Sequence, residues 1–316
     1  MNDMNETIVK IENLVKRYGE KVALNHLDLE IKKGEIFGLL GPNGSGKTTT
    51  INCLLSLLSF DRGSIKLFGE EMKPDCYHIK EKIGVVMQDV AVFEELSVYE
   101  NIDYFCGLYI SDKKTRKKYV EEAIAFVGLE DFVKFRPKKL SGGLLRRLNI
   151  ACGIAHKPEL IVLDEPTVAV DPQSRNRILE GIKELNNQGS TIIYTSHYME
   201  EVEQLCTDIA IIDKGKVIAK GTTNELKSMI KCKETINIHV SELSNENIEK
   251  IKEFTHIYKC TYENEELSVS YTGGKHNLTK LLNYLQENEI HFGKVQSVLP
   301  TLNDVFLEIT GKDLRD

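Results

Sequence analysis

Apolar positions alternate in two runs near the start of the chain, Val9 with Ile11 and then Leu27, Leu29 and Ile31, with a Tyr18-Gly19 break between them. Period-two alternation interrupted by a turn dipeptide predicts an antiparallel pair of strands. Glu35 to Leu40 follows as a buried strand, then a glycine-rich turn and a helix carrying Ile51, Leu54, Leu55 and Leu58 at helical spacing. Further buried strands are predicted at Ile83 to Met87, Leu160 to Leu163, Thr191 to Thr195 and Ile209 to Ile212, separated by segments of helical character. Strands alternating with helical crossovers define an α/β core built on a parallel sheet.

Two stretches depart from that rhythm. From about residue 96 to 157 no strand is legible, and Tyr104, Cys106, Leu108, Ile124 and Val127 fall largely at helical spacings, which predicts a helical insertion. Beyond Gly221, strand-like runs at Thr235 to Val240, Ile257 to Tyr262 and Leu267 to Tyr271 alternate with helical ones at Asn245 to Phe254 and Asn277 to Gln286. This tail is expected to be a small βαββαβ domain over 231–316, beside a main domain over 1–230. Thr301, with Asp304 three residues on, is a helix-start signal for a final amphipathic segment carrying Val305, Phe306 and Ile309.

Composition narrows the function classes. The chain has 316 residues, 41% hydrophobic and 28% charged, which suits a large domain plus a small one and excludes disordered and collagen-like chains. With 41 Lys and Arg against 48 Asp and Glu the net charge is −7, so a polyanion-binding role is disfavoured and no nucleic-acid partner is expected. The longest apolar runs are strand-sized, well short of the roughly 20 residues that span a bilayer. The polar start of the chain lacks an export signal, so an intracellular location is expected. Seven cysteines stand singly with no Cys-x-x-Cys pair, so neither a disulfide framework nor a zinc site is expected. The basic run Lys113 to Lys118 is read as a solvated helix face.

The chemistry is concentrated in three motifs. Gly41-Pro42-Asn43-Gly44-Ser45-Gly46-Lys47-Thr48 has the phosphate-loop spacing and lies between a predicted strand and a predicted helix. Small residues let backbone N–H groups close round phosphate, Lys47 supplies a point charge, and the Thr48 hydroxyl is placed to ligate Mg²⁺. The next residue, Thr49, opens the helix with them. Leu160 to Leu163 then runs into Asp164 and Glu165 at the strand end where α/β sheets bind ligands. Asp164 is expected to hold magnesium, and Glu165 to polarise an attacking water. The third motif is Leu140-Ser141-Gly142-Gly143 before a helix that ends near Pro158; alone, it reads as a Ser-capped helix start.

In this order and spacing the three motifs closely resemble those of the ATP-binding subunits of ABC transporters, over roughly the first two-thirds of the chain. The resemblance implies a P-loop ATPase core with an antiparallel β subdomain and a helical insertion. It further implies ATP and Mg²⁺ as cofactors, and head-to-tail pairing with a second copy or a paralogue, so that Ser141, Gly142 and Gly143 of one subunit meet nucleotide held by the other. Tyr18 resembles the aromatic on which adenine stacks. Gln88 matches the glutamine that touches magnesium or the attacking water. Asp171 matches the aspartate contacting the opposite subunit, although Asp171-Pro172 is equally a good helix cap and first turn. His197 matches the histidine that senses the γ-phosphate and orients water and Glu165. Leu144 stands where the family most often has Gln, and Ala169 where Gly is common, so a different backbone conformation is expected at Ala169.

Arg146-Arg147-Leu148 and the ending Pro300 to Phe306 resemble subunits of the antibiotic-resistance exporter type. Such a subunit would work from the cytoplasmic face of the cell membrane, attached through a separate transmembrane permease that meets a groove beside Gln88 and Phe93 to Asn101. A soluble ATPase of the same type acting on a non-membrane partner is the alternative; those usually carry tandem cassettes, coiled coils or zinc sites, which this chain lacks. A regulator with little turnover is disfavoured by Glu165 and His197.

Overall fold

The computed structural model describes residues 6–311. By internal contacts it divides into two units, one running to Thr223 and the other beginning at Asn224.

The first unit opens with β1 (Thr7–Tyr18) and β2 (Lys21–Lys32), paired antiparallel through a tight turn in which Gly19 takes a positive φ of 61°. Next come β3 (Ile36–Leu40), α1 (Lys47–Leu54), β4 (Arg62–Leu67), β5 (Glu70–Glu71), the short α2 (Tyr77–Lys80) and β6 (Ile83–Val86). Helix α1 stops earlier than its apolar period predicts. Leu55 caps it and Ser56 turns into the left-handed region at φ 53°, so Leu58 packs from the following loop. Strands β4 and β5 are not legible in the hydrophobic pattern, since only Ile65 and Leu67 of β4 are buried. They complete an antiparallel sheet of order β2-β1-β4-β5.

The helical insertion comprises α3 (Val98–Gly107), α4 (Lys113–Val127) and α5 (Gly142–Ile154). Ser97 and Glu100 form a capping box on α3, and Asp112 and Ser141 cap α4 and α5. The basic start of α4 is largely matched by acidic residues: Lys117 and Lys118 pair with Glu121 and Glu122 one turn on, and Arg116 with Asp103. The chain then returns to the core with β7 (Leu160–Asp164), α6 (Pro172–Asn187), β8 (Thr191–Ser196), α7 (Met199–Leu205), β9 (Asp208–Asp213) and β10 (Lys216–Gly221), and α8 (Thr223–Met229) follows.

The central sheet has the order β10-β9-β3-β8-β7-β6, parallel except for the edge strand β10. All five residues of β3 and of β7 and all six of β8 are buried, the signature of strands covered on both faces. One apolar core joins the antiparallel sheet to this one through Leu24, Leu27, Phe37, Leu39, Ile51 and Leu54. The strand order puts the C-terminal ends of β3, β7 and β8 side by side, and there the motifs converge.

The second unit contains β11 (Glu234–Val240), α9 (Asn245–Lys252), β12 (Ile257–Glu263), β13 (Glu266–Tyr271), α10 (Asn277–Glu287), β14 (Phe292–Val298) and α11 (Leu302–Thr310). Its sheet is antiparallel, ordered β12-β13-β11-β14, a split βαβ arrangement. Ile236, Ile238, Val240, Leu267, Val269 and Tyr271 alternate along two strands and pack with Ile251, Leu281 and Leu285 of the helices. In α11, Leu302, Val305 and Phe306 are buried while Ile309 stays 38% exposed. No helix among the described residues is long and apolar enough to cross a membrane.

Candidate functional site

The phosphate loop is a tight structure. Ser45 N–H donates to the Pro42 carbonyl at 3.1 Å, and the Ser45 carbonyl accepts from Gly215 N–H at 2.8 Å. Two glycines are required by contact. A Cβ on Gly41 would lie 2.3 Å from the Ile212 carbonyl, and one on Gly46, at φ 115°, would lie 2.9 Å from Leu24. Asn43 and Gly44 at the tip are exposed, Pro42, Gly46 and Thr49 half-buried, and Gly41, Ser45 and Lys47 buried. The buried Ser45 hydroxyl has no partner. A buried polar group without a bond is costly, so this loop fits an incoming acceptor such as phosphate oxygen.

Lys47 Nζ donates to the Gly41 carbonyl at 2.8 Å and the Pro42 carbonyl at 3.3 Å, and stands 3.8 Å from Glu165 Oε1. Burial pushes the pKa of its ammonium down, and the carboxylates of Glu165 and Asp164 oppose that shift. The other carboxylate oxygen of Glu165, Oε2, lies 3.2 Å from His197 Nδ1. Glu165 itself sits at φ 48°, a left-handed conformation disfavoured for a side chain of this type, just past the end of β7.

Asp164 is held from two sides. Thr195 Oγ1 donates to Oδ1 at 2.6 Å and Thr48 Oγ1 to Oδ2 at 3.1 Å. The same Thr195 hydroxyl accepts from the Glu165 N–H at 2.9 Å, so β8 fixes both acids at the end of β7. No group of three or more His, Cys, Asp or Glu suited to a metal occurs among the described residues. The hard oxygens of Thr48 and Asp164 fit a magnesium ion that brings most of its coordination from phosphate and water.

Gln88 lies just beyond β6, with an exposed side chain. Its backbone carbonyl is held by Arg146 of α5, a residue to which sequence reasoning assigned no role. Arg146 is 4% exposed and donates to the carbonyls of Met87, Gln88, Asp164, Glu165 and Pro166 at 2.8–3.1 Å. Nothing in a single sequence distinguishes this buried arginine from its neighbour Arg147; only the topology brings these carbonyls to it.

Other candidates lie apart from this cluster. Tyr18 is 51% exposed at the end of β1, with Lys16 Nζ 5.4 Å from its ring centre, so it does not cover the core. Ser141 caps α5 by accepting from Leu144 N–H at 3.3 Å. Exposed Gly142 follows, and a Cβ on buried Gly143 would lie 2.7 Å from Ser174 Oγ and 3.0 Å from Asp171 Oδ2. Asp171 caps α6 by accepting from Ser174 N–H at 2.9 Å, with Pro172 in the first turn, and that bond holds its pKa below the usual carboxylate value. Ser141, Gly142 and Gly143 therefore form a group of their own with Asp171. Ala169 adopts φ 57°, so the loop keeps a left-handed turn without glycine.

A phosphate loop facing two strand-end acids, with a third strand supplying a histidine, defines a P-loop nucleotide-binding ATPase. The family model for ABC transporters matches residues 24–168, and that for the C-terminal domain of DrrA1-3-like ATP-binding proteins matches 221–310. The chain is 40% identical to the linearmycin resistance ATP-binding protein LnrL of Bacillus subtilis (strain 168) over 311 residues, covering 98% of this chain and 100% of that protein. It is 33% identical to the daunorubicin resistance ATP-binding protein DrrA3 of Streptomyces coeruleorubidus, covering 99% and 98%. Among solved structures, a dimeric ATP-binding cassette in a post-hydrolysis state with ADP and Pi superposes with a TM-score of 0.63 at 28% identity, covering 68% of this chain and 98% of that one. The chain belongs to the ATP-hydrolysing subunits of ABC transporters, in the group of drug-exporter type.

Proposed function

We propose that two copies of this chain, or one copy and a paralogue, pair head to tail around two Mg²⁺-ATP molecules. In this reading the phosphate loop, Lys47 and Thr48 hold the nucleotide on one subunit, and Ser141, Gly142, Gly143 and Asp171 of the other complete the site. It is supported by the separation of the two groups within one chain, and by the position of Ser141 at the N-terminus of α5, where the helix dipole favours phosphate. Tyr18, exposed at the end of β1, is the proposed adenine contact. Leu144 offers its backbone N–H to the Ser141 cap and no side-chain polar group, so the Ser141-Gly142-Gly143 motif acts here through backbone and the serine.

Magnesium, bound through Thr48, Asp164 and Gln88, would neutralise charge on the transferred phosphoryl group. Glu165 would accept the proton of the attacking water, and His197 would hold the carboxylate and the water in line. The observation that carries this assignment is the sharing of the two Glu165 oxygens between Lys47 and His197. ATP entry recruits Lys47 to phosphate, frees one oxygen, and leaves the other beside His197.

Closure and reopening of the pair would be delivered to a separate transmembrane permease at the cytoplasmic face of the membrane, with export as the direction of transport, a reading supported by the resistance proteins among its relatives. Support for a docking face comes from Phe93, Tyr104 and Phe105, whose rings pack within 4.9–5.9 Å of one another while Phe93 and Tyr104 stay 42% and 47% exposed. The test is phosphate release by Glu165→Gln. Turnover is expected to fall by about 10²-fold or more with ATP binding retained, and turnover at the wild-type rate would refute the assigned base.

A further inference from the structure

We propose that Arg146 is a positioning residue for hydrolysis, holding the Gln88 segment and the peptide of Glu165 in fixed register with helix α5. A guanidinium has five N–H donors, and here each one is used on a backbone carbonyl. Nε donates to Pro166 at 2.8 Å. Nη1 donates to Met87 at 2.9 Å and Gln88 at 2.8 Å, and Nη2 to Asp164 at 3.1 Å and Glu165 at 3.0 Å. These carbonyls belong to the segments that leave β6 and β7 where their parallel pairing, which ends at Val86 and Leu163, has run out. One buried cation thus closes the gap beyond two neighbouring strands.

The tether on the Gln88 side is doubled. Asn149, three residues on along α5, accepts from Ala91 N–H at 3.1 Å through Oδ1. Asn101, fully buried on α3, accepts from Phe93 N–H at 2.8 Å and donates to the carbonyls of Phe93, Leu96 and Ser97. A displacement of α5 therefore reaches both Gln88 and Glu165 through a single side chain. The N-terminus of the same helix carries Ser141 and Gly143, so Arg146 ties the base of one site to the element proposed to touch the other nucleotide.

The inference rests on the roles proposed for Glu165 and Gln88, and the experiment separates the two. Steady-state kcat and KM for Mg²⁺-ATP are measured on the full-length chain, with its permease where basal turnover requires it, for wild type, Glu165→Gln, Gln88→Ala, Arg146→Lys and the Gln88→Ala/Arg146→Lys double variant. Lysine keeps the charge but has three donors for five acceptors. Arg146→Lys is expected to keep KM within about threefold while kcat falls about 10-fold or more, the pattern of lost transition-state alignment. Its effect in the Gln88→Ala background should be several-fold smaller than in the wild type, because both act on one segment. A kcat within twofold of wild type, or losses that multiply independently in the double variant, would overturn the role of Arg146 while Glu165→Gln stays inactive. An active Glu165→Gln would instead remove the underlying assignment. Should Arg146→Lys fail to fold, hydrogen exchange on Glu165→Gln decides: ATP should change protection in 86–92, 142–150 and 164–168 together, and an independent response of one segment would contradict the tether.

Discussion

His197 Nδ1 stands 3.2 Å from Glu165 Oε2, and the carboxylate it faces is almost wholly withdrawn from solvent, with a side chain 9% exposed. The histidine comes from the loop after β8 and the acid from the end of β7, neighbouring strands whose pairing runs through Asp164 and Thr195. His197 also packs its ring on Tyr198, with centroids 4.2 Å apart, and Arg175 lies 4.8 Å over that tyrosine. The ring is thus oriented by a tilted contact with Tyr198, at an interplanar angle of 40°. His197→Ala should lower kcat for ATP about 10²-fold with ATP affinity within a fewfold of wild type. Nucleotide titration alongside phosphate release checks this; parallel loss of binding would make His197 a ligand contact instead.

Stability should depend on pH through His156, which is 8% exposed, stacks on Tyr109 at 4.1 Å and shares a hydrogen-bond distance of 3.2 Å with the Ile83 carbonyl. Burial pushes its pKa down to about 4. Between about pH 6.5 and 4 the unfolded chain binds a proton there that the folded chain refuses, so stability falls as pH falls through that window. At pH 5 the loss relative to pH 7 should be about 2 kcal/mol from this group. Denaturant unfolding at both pH values, compared with His156→Phe, should show that much less acid sensitivity in the variant; equal sensitivity would exclude His156 as the cause.

Ala169 holds a left-handed φ of 57° in the loop before Asp171. Such a conformation costs a non-glycine residue about 1–2 kcal/mol, whereas glycine adopts it freely but loses more chain entropy on folding. The relief of strain outweighs the entropy term, so Ala169→Gly should stabilise the protein by about 0.5–1 kcal/mol, read as a higher midpoint of unfolding. A loss of about 1 kcal/mol, the usual cost of Ala to Gly in ordered structure, would show that the turn is not strained.

In the C-terminal unit, Thr301 and Asp304 exchange side-chain and backbone hydrogen bonds as a capping box on α11. Thr301→Ala should destabilise that helix by about 1 kcal/mol, read as a lower unfolding midpoint of the unit or faster exchange of the amides of residues 302–306. Unaltered exchange would mean that burial of Leu302, Val305 and Phe306 alone holds the helix.

Much of this architecture was legible in the chain itself. Period-two runs marked β1, β2 and most of the C-terminal strands, and the buried runs of β3, β7, β8 and β9 needed only their apolar continuity. Strands β4, β5 and β10 escaped because each buries few side chains and gains its order from backbone pairing, β4 with the distant β1, β5 with β4 and β10 with β9. The early end of α1 was hidden because Leu55, its cap, and Leu58, beyond the turn at Ser56, continue the apolar period. At the candidate site, local spacing singled out Lys47, Thr48, Asp164 and Glu165, which the fold brings together. Arg146 stayed hidden because its role is made of backbone carbonyls, which carry no sequence signal. The left-handed turn at Ala169 was missed for a related reason: the loop dictates that conformation whichever residue stands there.

Nucleotide should join two copies of the chain, or one copy and its paralogue, into a composite site. Light scattering on purified Glu165→Gln, without nucleotide and then with saturating ATP and Mg²⁺, tests it most directly. A mass near 35.9 kDa is expected without nucleotide and twice that with it, reversed by removing magnesium or by adding Ser141→Arg. A species that stays at the single-chain mass with ATP bound, alone and with its permease and any paralogue supplied, would contradict the composite site.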